Sequence, residues 1–373
     1  MELSEQQQIR RESLQKIIDL GINPYPPELF EVNTSAKEIK EQFGENPDSF
    51  QNVSIGGRLM MKRIMGKASF AELQDESGKI QCYINRDEIC PDEDKTTYNT
   101  LFKKLLDIGD YIGVTGYVFT TKTGEISIHV SSLRLLSKSL RPLPIVKEKD
   151  GQVYDAFSDP DQRYRQRYVD LTVNPGVRDI FIKRSKMVNT MRDFLNERGY
   201  LEVETPILQP LYGGALAKPF TTHHNTLDMK LYLRIANELY LKRLIVGGFD
   251  GVYEFSKDFR NEGMGKYHNP EFTQVEFYVA YKDYLWMADI TEELVERIAI
   301  ELHGSTKVQV GENEIDFKRP WKRYTMYGAI EHFTGIDVSK MDENEMRETA
   351  KKLHIEVCLL YTSPSHETRR YLV

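Results

Sequence analysis

With 373 residues, 40% hydrophobic and 29% charged, the chain is long enough for two domains with sizeable cores and has an ordinary soluble composition. A net charge of -7 leaves no overall basic field for nucleic acid, so any such contact must use local basic patches. Cys82, Cys90 and Cys358 have no paired spacing, and no apolar run approaches the roughly 20 residues of a membrane helix. No disulfide framework, structural zinc, signal peptide or membrane span is expected, and a reducing cytoplasm fits.

In chain order, residues 4–20 are predicted to form a polar helix with a thin apolar stripe at Ile9, Leu14, Ile17 and Ile18, stopped at Gly21. It either packs on the next domain or offers a basic edge (Arg10, Arg11, Lys16) to RNA. Pro24, Pro26 and Pro27 then force extended chain. From Val53 to Leu136 the period changes to two. Val53, Ile55, Leu59 and Met61 alternate around Gly57; Ile80, Cys82 and Ile84 alternate with Gln81 and Tyr83; Ile126, Ile128 and Val130 alternate with Ser127 and His129. Turn signals at Asp75–Gly78 and Thr121–Gly124 separate the runs, and an acidic stretch from Asp87 to Leu106 interrupts them. A small closed barrel follows from this pattern, of the OB type or of another small-barrel type.

Arg141-Pro142-Leu143-Pro144 cannot hold regular structure. Asp161 to Tyr168 is basic and aromatic, either a hinge near RNA or a solvated face. The second domain opens with a helix from Arg178 to Arg198, with Phe181, Val188, Met191, Phe194 and Leu195 on one side and Gly199 closing it. Strands are predicted over Leu201–Glu204, Leu231–Arg234, Gly251–Ser256 and Gln274–Tyr281, and helices over Asn237–Val246 and Asp289–His303. Neither GxGxxG nor GxxxxGK[ST] is present, and the elements lack a strict βαβ rhythm. An α+β domain on a mainly antiparallel sheet is expected in place of a Rossmann or P-loop fold.

Three pieces of this domain carry chemistry. Gly213-Gly214, ahead of Lys218 to His224, is either a close approach of backbone to a ligand or a flexible turn. Glu238 stands where a helix begins, as a dipole-answering acid or as a ligand. Phe259-Arg260-Asn261-Glu262-Gly263, with His268-Asn269-Pro270-Glu271-Phe272-Thr273, places a planar guanidinium fork beside acids, a histidine and an aromatic face. On a strand, Gln274, Glu276 and Tyr278 share one face, as a ligand site or an ion-pair ladder.

In order, type and context, Gly214, Glu238, Arg260, Glu262, His268, Phe272 and Glu276 resemble one family, the class II lysyl-tRNA synthetases. The barrel residues Gly57-Arg58, Arg63, Gly66-Lys67, Phe70, Gln74-Asp75 and Gly78 resemble that family's anticodon-binding OB domain. The resemblance implies an N-terminal helical extension (1–50), an OB domain (51–140), a linker (141–175) and a class II catalytic domain (176–357). It implies activation of L-lysine by ATP with magnesium and transfer to tRNA(Lys), in a cytoplasmic homodimer built on the helix from Arg178. Arg260 would be catalytic, clamping the ATP α-phosphate and the lysine carboxylate. Glu262, His268, Asn269 and Phe272 would hold the rest of ATP. Gly214, Glu238 and Glu276 would surround the lysine α-amino group, and Tyr278 would approach its side chain. On the barrel, Phe70 would stack an anticodon base, with Arg63, Gln81 and Glu125 as polar readers.

The chain departs from the family pattern at Tyr267 and Lys218, where arginine is frequent. A glycine-rich third motif with a late arginine is not found, nor are the downstream acids that hold magnesium, so no metal ligand is assigned. From Cys358 the tail (358–373) loses the resemblance. A truncated chain with a C-terminally incomplete catalytic domain and weak or no aminoacylation is therefore expected. The alternative is an inactive fragment that keeps anticodon binding; a paralogue that lysylates protein is disfavoured by the barrel.

Overall fold

The computed structural model describes residues 3–144, 147–149, 152–154, 157–265 and 267–355, so the tail from Cys358 lies outside the described residues. The chain divides into two compact units between Val177 and Arg178.

The first unit opens with α1 (Glu5–Asp19), started by a reciprocal cap in which Ser4 Oγ accepts from the Gln7 N–H and the Gln7 side chain accepts from the Ser4 N–H. Its buried face is Arg10, Ser13 and Ile17, which corrects the expected stripe, because Ile9 and Ile18 are exposed. Arg10 is turned inward, donating to the carbonyls of Ile108 (2.8 Å) and Ser139 (3.2 Å), so it belongs to no RNA-facing edge. After α2 (Ala36–Gln42) come β1 (Val53–Met65), β2 (Ala68–Gln74), β3 (Lys79–Asn85), β4 (Tyr111–Thr120) and β5 (Ile126–Ser137). They close into a barrel in the order β1-β2-β3-β5-β4, with β3 and β5 parallel and the other pairs antiparallel. This is the OB-type barrel of the two small-barrel readings.

The two-residue alternation sends Ile55, Leu59, Leu73, Ile80, Cys82, Ile84, Ile112, Val114, Ile128 and Val130 inward. Each fully buried aliphatic contributes about 1.5–3 kcal/mol. Met61 breaks the pattern, because a bulge between Leu59 and Met61 turns it out to 41% exposure. Burial in this core pushes the Cys82 thiol up to about 12. The acidic interruption forms α3 (Arg86–Ile89) and a wide helical segment, Thr97–Leu105, whose Tyr98, Leu101, Phe102 and Leu105 close the barrel core.

A hairpin of β6 (Lys147–Lys149) and β7 (Gln152–Tyr154) leads to α4 (Pro160–Arg165) and α5 (Arg167–Val173). Two arginines of the basic run are tied to one buried acid, and the third, Arg165, pairs with the exposed Asp161. Asp170 receives Arg163 Nε at 2.8 Å and Asn174 Nδ2 at 2.6 Å, and pairs with Arg167. Burial alone would raise the Asp170 carboxyl, but these donors and guanidiniums outweigh it and hold it below its usual range.

The second unit carries α6 (Val177–Asn196), closed by Gly199 at φ +76°. Phe194 and Leu195 are buried against Tyr253, Ile290 and Leu294, whereas Phe181, predicted on the same side, is 43% exposed beside the exposed Ile180 and Ile182. One sheet runs β13 (Glu271–Val279), β12 (Gly251–Phe259), β8 (Leu201–Glu202), with β8 parallel and β13 antiparallel to β12. A second is antiparallel: β10 (Thr221–His224), β11 (Met229–Leu233), β9 (Leu208–Gln209). The mainly antiparallel reading holds, with one parallel edge pair. Helix α7 (Glu238–Val246) follows β11, and α8 (Tyr284–His303) is capped by Asp283 accepting from the Trp286 N–H. A hairpin of β14 (Lys307–Val310) and β15 (Asn313–Asp316) and helices α9 (Met326–Thr334) and α10 (Glu343–Lys352) complete the described residues.

Candidate active site and nucleic-acid face

The site begins with the register of β12 and β13, which sets Glu254 opposite Glu276, Ser256 opposite Gln274 and Asp258 opposite Phe272. Opposed residues share a face, so three carboxylates lie on one side of the hairpin. Glu254 and Asp258 are buried, at 3% and 0% exposure, and Arg234 at the end of β11 answers both. Its NH1 donates to Glu254 Oε1 at 2.7 Å, and its Nε lies 3.1 Å from Asp258 Oδ1. Thr205 and Asn237 donate to the second Glu254 oxygen. Burying such charges is costly unless they are paired, and Arg234 supplies the pairing, although Asp258 Oδ1 and Asn237 Oδ1 are buried without a hydrogen-bond partner.

Arg260 follows the last residue of β12, held by its N–H donating to the Pro270 carbonyl at 2.8 Å. Its guanidinium lies 5.0 Å from the centre of the Phe272 ring, and its Nε is buried with no hydrogen-bond partner. A cleft of about 240 Å³ is lined by Arg260, Glu262, Gly263, Tyr267, His268, Asn269 and Phe272. Arg260, Glu262, His268, Asn269 and Phe272, the residues expected at ATP, all line this cleft. Asn261 N–H donates to the Lys218 carbonyl at 2.7 Å, which pins the glycine loop to this strand end.

Gly214, Glu238, Glu276 and Tyr278 form the neighbouring group. Gly214 has φ +90°, and a Cβ there would lie 2.8 Å from Glu238 Cβ and 3.1 Å from Ala236 Cβ. The close approach at Gly214 is to the side chains of Ala236 and Glu238. Asn237, not Glu238, is the N-cap of α7; Glu238 is the first helical residue and pairs with Lys242 at 2.6 Å. Tyr278 donates to Glu276 Oε2 at 3.1 Å, and Gln274 also donates to that carboxylate. Burial, then the charges of Asp258 and Glu238, push the Glu276 carboxyl above its usual range against these bonds. Burial, then the charges of Glu276 and Glu238, push the Tyr278 phenol up. Sequence reasoning missed Arg234, Glu254 and Asp258, although Glu254, Ser256 and Asp258 follow the same two-residue period as Gln274 to Tyr278.

On the barrel, a cavity of about 470 Å³ is lined by Phe70, Tyr83, Phe119, Thr121, Lys122, Thr123 and His129. Phe70 is half-buried on the outer wall, because Ala71 and Leu73 take the interior positions of β2. Its ring centre lies 5.4 Å from that of Tyr83, and His129 stacks on Tyr117 at 4.7 Å and 11°. Arg63 stands across the ladder from Phe70, Gln81 donates to Ser127 Oγ at 2.9 Å, and Glu125 pairs with Lys40 at 3.7 Å; none of the three lines the cavity. Tyr83, Phe119 and His129 were not singled out, yet Tyr83 and His129 are the outward members of alternations read from the sequence.

Residues 159–369 match the family described as tRNA synthetases class II (D, K and N), and residues 53–136 match the OB-fold nucleic acid binding domain. A lysine–tRNA ligase of Azobacteroides pseudotrichonymphae genomovar. CFP2 is 59% identical over 354 residues, covering 95% of this chain and 71% of its own length. The chain belongs to the class II lysyl-tRNA synthetase family. Two further lysine–tRNA ligases of this family are as similar. That of Porphyromonas gingivalis (strain ATCC 33277) is 61% identical over 357 residues and that of Christiangramia forsetii 60% over 357, each match covering 95% of this chain. The chain spans 62% of the length of each of these two. The synthetase match continues to residue 369, past the point at Cys358 where resemblance was expected to end. Among the described residues no group of three or more His, Cys, Asp and Glu gathers as a metal site, and no helix is long and apolar enough to cross a membrane.

Proposed function

We propose that the chain carries the ATP- and lysine-binding machinery of a cytoplasmic lysine–tRNA ligase, joining L-lysine to ATP as lysyl-adenylate and passing it to tRNA(Lys). The observation that carries this reading is Arg260, a guanidinium laid over Phe272 with a buried nitrogen left unpaired at the mouth of the cleft. A purine stacked against Phe272 would set Glu262 toward its amino group, with His268 and Asn269 beside the phosphates and ribose. Arg260 would clamp the α-phosphate and the lysine carboxylate, which is the alignment and charge neutralisation that attack on phosphorus requires. Magnesium bound with the nucleotide would supply further neutralisation of the triphosphate charge, and no described residue is assigned to hold it.

Lysine follows from the acids. Glu238 and Glu276 favour an ammonium-bearing substrate and oppose an acidic one, with Gly214 leaving room beside Glu238 and Tyr278 standing at the side-chain end. The barrel cavity suits a stacked, unpaired anticodon base with Phe70 as the platform, and Arg63, Gln81 and Glu125, which do not line it, would read groups outside that cavity. The exposed Ile180 and Ile182 on α6 favour a homodimer.

Lysine-dependent ATP–pyrophosphate exchange tests the site. Arg260→Ala is expected to lower exchange by about 10²–10³-fold, the worth of one preorganised donor. An undiminished rate would put the pocket elsewhere. Binding of lysine tRNA without any exchange would select the second reading, an anticodon-binding chain, which the self-contained closed barrel favours.

A further inference from the structure

Lys242 lies one helical turn after Glu238 on α7. Its Nζ is 2.6 Å from Glu238 Oε1 and 5.8 Å from the centre of the Tyr278 ring. Neighbours four apart on a helix often pair, and such a pair alone says little. Here the pair has a third member on another element. Tyr278 belongs to β13 and its hydroxyl is bonded to Glu276, so the ammonium sits over the ring of one acid-bonded side chain while it pairs with the acid that lies beside Gly214. Glu238 presents one oxygen to Lys242, while its other oxygen lies 3.4 Å from where a Gly214 Cβ would stand.

We infer that Lys242 is a resident counter-ion, its ammonium holding the Glu238 carboxylate until an incoming substrate ammonium replaces it. This rests on the reading of Gly214, Glu238, Glu276 and Tyr278 as the lysine site. The exchange is balanced in charge: one ammonium leaves the carboxylate as another arrives, and no proton moves. Lys242 is therefore a positioning residue for Glu238 that competes with every incoming amine, setting the affinity that a substrate ammonium must exceed to displace it. Its side chain is 55% exposed, which lets it swing into solvent without disturbing the core.

Calorimetric titration of L-lysine into the full chain, Lys242→Met and Lys242→Arg tests this. Lys242→Met is expected to bind L-lysine about two- to fivefold more tightly, the worth of one half-exposed ion pair. The gain should shrink between 0.05 and about 1 M salt as screening removes the competition, a dependence that a purely structural role would not produce. Lys242→Arg, which keeps a cation, should show no gain. Unchanged or weaker binding by Lys242→Met, or an equal gain in Lys242→Arg, overturns the inference. If the unaltered chain binds no L-lysine, the lysine reading of the site falls, and the inference falls with it.

Discussion

Arg234 supports the site floor, and its removal gives the sharpest test of the packing. Arg234→Met keeps much of the buried volume and deletes the cation that pairs with both Glu254 and Asp258. Arg234 is itself 3% exposed and also donates to the carbonyls of Thr205 (3.1 Å) and Lys257 (3.0 Å). Breaking a buried pair by removing one partner costs about 3–5 kcal/mol, because the remaining charge is uncompensated. The loss should sit near the upper end, since two carboxylates lose their counter-charge and two carbonyls lose a donor together. With a urea slope of about 2 kcal/mol per M, the midpoint falls by about 2 M. Tryptophan fluorescence is the assay, because both tryptophans of the chain, Trp286 and Trp321, lie in the second unit. Asp258 is already held above the usual carboxylate range by burial, with Glu254 adding to this and Arg234 opposing it. Without Arg234 it should rise further. A raised acid favours the fold while protonated, so the deficit should be smaller at pH 5 and grow toward pH 8. A deficit under about 1 kcal/mol, equal at both pH values, would refute the view of Arg234 as the counter-charge of the floor.

Gly214→Ala should weaken L-lysine binding by about 1–3 kcal/mol, a fivefold to more than hundredfold rise in Kd, because φ +90° is costly for alanine and its Cβ would push Glu238 aside; calorimetry reads it directly. Affinity for L-lysine should fall on acidification above the ordinary glutamate range, since Glu276 must be ionised to hold an ammonium and burial, Asp258 and Glu238 raise its carboxyl. A titration from pH 8 to pH 5 checks this, and Glu276→Gln should flatten the profile. Phe70→Ala should cost about 1–3 kcal/mol in binding a lysine-tRNA anticodon stem-loop and leave L-lysine binding untouched, measured by fluorescence anisotropy and calorimetry on the same preparation.

The barrel was legible because its strands bury one face, so Ile80, Cys82 and Ile84 could be assigned inward from spacing alone. Met61 escaped because a bulge resets the phase within one strand, and no local residue announces it. Arg10 escaped for a different reason: a long cation was read as solvent-facing, while the helix buries it to serve two carbonyls. In the synthetase domain, Gln274, Glu276 and Tyr278 were placed correctly on a shared face. Their partners across the ladder were not, because register between Glu254 and Glu276 is set by pairing and not by either strand alone. Lys242 was invisible for the same kind of reason, since its meaning depends on Tyr278 from another element.

The sealed thiol of Cys82 gives the barrel a clock of its own. A reagent that modifies thiolates can reach it only when the strands part, so its labelling rate counts openings of that unit alone. The tryptophans report nothing about that event, and the two signals together tell whether the barrel unit and the second unit unfold in one step or separately.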